Sequence, residues 1–276
     1  MAKWSPSNTT TYYWANGSQV QQNKGAPSIW TDQSGNGRVV QRPSQSAAPS
    51  LVSADLNGHD VLEFDGTNDG LFSDDDTEFN FESSDFAVFT VSQRTGGNSS
   101  VQTVIDMGGT NSDGYSIYHV FVSGVVDTLN LSVSNNTMRS EGDAGTGVYC
   151  SAIVDNGTNA IARLDGATVG TPAAPDTSYA SSEPFTIGIT SSGSGYFDGK
   201  IAEVIVVQAT LTDREIEQFE GYLLHKYDLS KFPSAHRFRR FTPAVGLHGV
   251  HNQDLLGELA LDVSGPLVSD TLAGAV

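Results

Sequence analysis

The chain has 276 residues, 29 of them glycine, with a hydrophobic fraction of 38% and a net charge of −18. That apolar content supports a sizeable core and excludes a disordered chain, while the charge excludes a nucleic-acid surface, since phosphates would be repelled. No run approaches the ~18 apolar residues of a membrane span, so a bilayer is excluded as a partner.

The first 30 residues set Trp4, Tyr12, Tyr13, Trp14 and Trp30 among Ser, Thr and Asn, the composition of short strands whose rings enter a core. WTDQSGNG, starting at Trp30, is a turn in which Asp32 and the Asn-Gly pair supply side-chain hydrogen bonds and positive φ. Pro43 and Pro49 bracket a polar loop. LNGHDVLEFDGTNDGL then alternates turns at Asn57-Gly58 and Asp65-Gly66 with a strand over 61–64 and another starting near Gly70. Strands follow over 86–91, 101–106, 115–122, 129–133, 148–155, 160–164 and 185–189, with Asn156-Gly157 and Asp165-Gly166 as turns. The lone Cys150, in VYCSAIV, excludes an internal disulfide and reads as a small core residue.

After Asp198 and Gly199, which shape its entry, the run 201–207 is apolar and β-branched as in a strand covered on both faces, with Glu203 its single interruption. Thr212 with Glu215 three residues on forms a capping box. Ile216, Phe219, Leu223 and Tyr227 then recur at helical spacing, while Asp213, Glu217, Glu220 and His225 lie largely elsewhere, which predicts a helix over 213–227. Roughly a dozen strands at this turn spacing predict an all-β sandwich over 1–229 with one C-terminal amphipathic helix. Residues 230–276 read as an extended tail without a core of its own, starting with the basic, aromatic KFPSAHRFRRFTP.

Taken together, TYYWANGSQV, WTDQSGNGRVVQ, LNGHDVLEFDGTNDGL, FAVFTVSQR, the DNG and RLDG turns and GYFDGKIAEVIVV leading into LTDREIEQFEGYLLHKYDL resemble the concanavalin A-like jelly roll of laminin-G-like type. The resemblance runs from about Trp4 to Phe238 and implies two face-to-face antiparallel sheets with a helix near the end of the chain. It implies no single function, since such domains serve as glycan-binding modules, adhesion domains and virion parts, with glucanases as more distant relatives.

Jelly-roll glucanases place alternating carboxylates on one strand face, and retaining hydrolysis needs two carboxyls about 5–5.5 Å apart. Glu63 and Asp65 match that alternation, but Asn68 stands at the third position and Gly66 ends the strand, so the segment reads as strand and turn and no catalytic residue is assigned. Calcium is the one cofactor in view: Asp65, Asn68 and Asp69 offer hard oxygen ligands in one turn, and the resemblance admits the ion without requiring it. The six histidines include no metal-binding spacing. Trp4, Tyr12, Tyr115, Tyr118, Tyr179 and Tyr196 are candidate sugar platforms, since sugar faces stack on rings. Trp30, Asp32, Gly199, Thr212, Glu215, Phe219 and Leu223 are expected to be structural.

The leading functional expectation is a non-enzymatic virion structural protein, such as a phage capsid decoration or fibre component, assembled in the host cytoplasm and holding surface glycans weakly. In it Phe232, Arg237, Phe238, Arg239, Arg240, Phe241, Leu255 and Leu256 of the tail dock on protein subunits of the same particle. The N-terminal MAKWSPSNTTTYYW, with no apolar signal core, favours that reading over its rival, an extracellular carbohydrate-binding or adhesive module of a bacterial protein. A glycoside hydrolase stands third.

Overall fold

The structure, a computed structural model, describes residues 14–16, 20–23, 26–32, 34, 37–73, 79–81, 84–96, 101–108, 114–122, 125–133, 136–139, 145–173, 183–229, 231–240 and 242–243. In chain order the strands are β1 (Trp14–Asn16), β2 (Val20–Asn23), β3 (Ala26–Thr31), β4 (Val39–Gln41), β5 (Ser50–Leu56), β6 (His59–Asp65), β7 (Leu71–Ser73), β8 (Phe86–Arg94) and β9 (Val101–Met107). They continue as β10 (Tyr115–Val122), β11 (Val125–Val133), β12 (Asn136–Arg139), β13 (Val148–Asp155), β14 (Ala160–Leu164), β15 (Ala167–Ala173), β16 (Phe185–Ile187) and β17 (Asp198–Val207), and helix α1 (Asp213–Lys226) follows. An eight-stranded sheet runs β15-β14-β13-β8-β17-β6-β5, with β1 also paired to β17, and a nine-stranded sheet runs β12-β11-β10-β9-β16-β7-β4-β3-β2. All pairings are antiparallel, so the fold is the all-β sandwich that the strand spacing predicts, with the two antiparallel sheets and late helix that the resemblance implies.

The apolar run of β17 occupies the middle of the first sheet. Ile201, Val204 and Val206 enter the layer between the sheets, and Ala202, Ile205 and Val207 enter a second layer under α1. A bulge between Ile201 and Glu203 turns Glu203 toward the helix. There its fully buried carboxylate accepts from Tyr222 Oη at 3.1 Å, Lys226 Nζ at 2.7 Å and Tyr227 Oη at 2.8 Å. The interruption in the strand is thus its tie to the helix.

The helix starts as its capping box requires. Thr212 Oγ1 accepts from the Glu215 amide at 3.3 Å, and the Glu215 carboxylate accepts from the Thr212 amide at 2.8 Å. Ile216, Phe219 and Leu223 are buried as expected. Glu220, expected away from that face, is also buried, because Arg163 on β14 grips it with Nε at 2.6 Å and Nη2 at 2.8 Å.

In the second sheet, Tyr115, Ile117, Leu129, Leu131 and Val133 face the inter-sheet layer with Trp30, which is fully buried. Four strands, β4, β5, β12 and β15, lie where no strand was expected. Of these, β5 and β15 are the edges of the eight-stranded sheet and conceal the alternating signal: β5 is broken by Ala54 at φ 54°, and β15 carries Gly170 and Pro172.

Candidate functional site

Period-2 alternation leaves a polar set on the far side of β10 and β11 from the core. On β10 these are Ser116 and Tyr118, and on β11 Thr128, Asn130 and Ser132. Strand register draws them into two rows. Thr103, Tyr118, Asn130 and Arg139 form one across β9 to β12, and Asp106, Ser116, Ser132 and Thr137 form the next. The alignment depends on a bulge between Ile117 and Tyr118, without which the pairing with β9 would be one residue out of step.

The rows form the floor of this face, and every described side chain in them is buried. Tyr118 is 4% exposed and Asn130 2%. Asn130 Nδ2 donates to Thr128 O at 3.3 Å, but its Oδ1 has no hydrogen-bond partner among the described residues, nor has Thr103 Oγ1. A ring flanked by an amide and hydroxyls with spare acceptors has the composition that binds hydroxyl-rich ligands.

A serine-rich turn borders the floor. Gly188 N donates to Val104 O at 2.9 Å and Thr103 N to Gly195 O at 2.9 Å, which fixes the turn along β9. The buried Asp106 carboxylate accepts from both the amide (2.8 Å) and the hydroxyl (2.9 Å) of Ser191. Thr190 Oγ1 accepts from Ser194 N at 2.9 Å, and the half-buried Tyr196 donates from Oη to Gly193 O at 3.2 Å. The turn's hydroxyls and the Tyr196 ring are thus held on a base tied to β9.

Of the other candidate platforms, Tyr115 is a core residue at 2% exposure, and Trp4, Tyr12 and Tyr179 lie outside the described residues. The candidate calcium ligands act in the turn itself. Asp65 Oδ1 accepts from the amides of Thr67 at 2.8 Å and Asn68 at 3.2 Å, and Asp69 Oδ2 accepts from the Asp65 amide at 2.9 Å. Burial, with the Asp65 charge, pushes the Asp69 carboxyl up to about 6, against the opposing hydrogen bond from the Asp65 amide. Among the described residues no group of three His, Cys, Asp or Glu side chains forms a metal cluster. Cys150 is buried, and burial pushes its thiol well up, as for an unreactive core cysteine.

Asp32 accepts from Ser34 through both oxygens at 2.6 Å, which closes the first turn. At Gly199 any Cβ would lie 2.2 Å from Gln93 O, so only glycine fits against β8.

The start of the basic tail is a strap on its own body. Lys231 Nζ donates to Val148 O at 2.8 Å and lies 3.9 Å from the centre of the Tyr149 ring. Phe232 packs on His225 and His236. Arg237 pairs with Glu217 at 3.5 Å, and Phe238, 3% exposed, covers Gly221. Phe238 is therefore held within the fold and is no free docking residue. Arg239 and Arg240 are exposed, and Phe241, Leu255 and Leu256 lie outside the described residues.

The fold and this face define a two-sheet antiparallel sandwich with a polar outer floor. No protein-family model matches the chain, and no curated protein matches it. Among solved structures it is similar to a GH54 α-L-arabinofuranosidase soaked with 4-nitrophenyl α-L-arabinofuranoside, with a TM-score of 0.53 at 14% identity over 75% of this chain and 51% of that one. It is also similar to Trypanosoma rangeli sialidase in complex with 2,3-difluorosialic acid, with a TM-score of 0.52 at 12% identity over 74% of this chain. Domain 4 of AbnA, an extracellular arabinanase from Geobacillus stearothermophilus, gives a TM-score of 0.49 at 14% identity over 67% of this chain and 90% of that one. The chain thus spans about half of the arabinofuranosidase and a third of the sialidase, at 51% and 32% of their lengths. At these identities the likeness establishes the fold.

Proposed function

We propose that the chain is a non-enzymatic carbohydrate-binding module of the concanavalin A-like, laminin-G-like type, which takes its ligand on the outer floor of the nine-stranded sheet. The observation that carries this reading is the cross-strand row of Tyr118 between Thr103 and Asn130, whose oxygens Oγ1 and Oδ1 have no partner among the described residues. A sugar offers an apolar face to the ring and hydroxyls to those acceptors. The sandwich shared with parts of two glycosidases supports the same class of ligand. Glu63 and Asp65 play no catalytic part in this reading: they project from the other sheet, and Asp65 is occupied by its turn.

The test is a glycan array followed by calorimetry, comparing the parent with Tyr118→Ala and Asn130→Ala. Binding that Tyr118→Ala lowers at least tenfold in a folded protein supports the reading. The absence of any glycan ligand, or a ligand held equally by both variants, sinks it.

A second reading, a virion structural protein displaying this module, is favoured by one observation: among the described residues, both core layers and the strap are built from positions before Ala244. In this reading residues 244–276 dock to capsid or tail subunits. Deleting them would leave a folded sandwich and abolish attachment to particles, and unchanged attachment counts against the reading.

A further inference from the structure

The inward side of the eight-stranded sheet changes character along β8. Phe86 and Val88 face the apolar inter-sheet layer, but the next two inward positions are Thr90 and Ser92. Ser151 on β13 stands directly opposite Thr90, and Tyr149 opposite Ser92. The hydroxyls are sealed from solvent, with Thr90 0%, Ser92 1% and Ser151 0% exposed. None of the three Oγ atoms has a hydrogen-bond partner among the described residues.

Unpartnered buried hydroxyls are destabilising one by one, so three on adjacent positions require a common explanation. Directly paired strand residues hold their Cβ atoms about 5 Å apart, a span that one water molecule between two hydroxyls bridges with ordinary hydrogen bonds. The facing sheet closes this end with polar groups: Gln102 Nε2 donates to Gly96 O at 3.0 Å, and its Oε1 accepts from Asp198 N at 3.1 Å. An occupant of such a seam must be small and neutral, and must both donate and accept.

We propose that the layer between the sheets contains a built hydration site, in which ordered water bridges Thr90, Ser92 and Ser151 as a permanent part of the core. The hydroxyls there join the strands through water, where Phe86 and Val88 join the sheets by apolar contact. The site is separate from the outer floor and stands whether or not that face binds sugar.

The experiment combines water-to-amide magnetisation transfer on the isotope-labelled full chain with melting of Thr90→Val and Thr90→Ser. Long-lived water cross-peaks to the amides around Thr90 and Ser151 are expected. Thr90→Val should melt several degrees below the parent, with Thr90→Ser restoring most of the loss, because only the serine keeps the hydroxyl. A dry cluster predicts the reverse, since valine favours a strand and removes an unpartnered oxygen. The parent spectrum decides even if a variant fails to fold: without the cross-peaks the proposal is overturned.

Discussion

Glu203 is a carboxylate with 0% exposure in the most apolar strand of the chain, held by one ammonium and two phenols. Removing one member of such a group strands the others, so Glu203→Ala should cost about 3 kcal/mol in chemical unfolding, and Glu203→Gln, which can still accept from the tyrosines, less. The sequence marks Glu203 as an interruption but not its purpose, because Tyr222, Lys226 and Tyr227 meet it only once the helix has docked. Asp69 gives a pH signature. Its folded value of about 6 lies above the ordinary 3.8, so the folded chain holds the proton more tightly. The stability this supplies is complete below the ordinary value and is lost as pH rises through the folded one. Asp69→Asn should therefore gain in melting temperature relative to the parent as pH rises from about 4 to about 6, then keep a constant advantage. A difference that stays flat across that window would show that Asp69 titrates normally. Tyr118 was visible as a possible platform. Thr103 and Asn130 were not, since only strand register brings them beside it.

Helix α1 was readable because its signals are local: the capping box lies within four residues and the apolar face repeats at helical spacing. Thr212→Ala removes one side of that box and should lower the unfolding free energy by about 1 kcal/mol, read from the urea midpoint. An unchanged midpoint would mean that docking under β17 alone sets the helix start. Glu220 was misplaced for a complementary reason. It flanks the apolar face beside Phe219 and Leu223, and the Arg163 that lets it be buried lies 57 residues away in sequence. The paired strands β10 and β11 carry their alternation openly, whereas β5 and β15 conceal theirs behind a positive-φ alanine, a glycine and a proline.

For the molecule as a whole, fold class followed from many short alternating strands, but sheet order did not, because pairing across long loops leaves no local trace. The division between body and tail also shifts. The strap from Lys231 to Arg240 is fastened to Val148, Asp165, Glu217 and Gly221, so the folded unit extends past Leu229. A chain ending at Pro243 should melt with the full-length protein, and one ending at Leu229 should melt several degrees lower; equal melting of the two would show that the strap adds nothing. The place of β17 has one more consequence, for biosynthesis. It is the last of the described strands to be made, yet it fills the slot between β6 and β8 in the first sheet. While the ribosome is still translating the preceding residues, β5-β6 and β8-β13-β14-β15 are two separate fragments with open hydrogen-bonding edges. The nascent chain cannot close its sheet stepwise; it must wait for residues 198–207 and then join both fragments in one late event, which makes that interval the time when the protein most needs shielding from its neighbours.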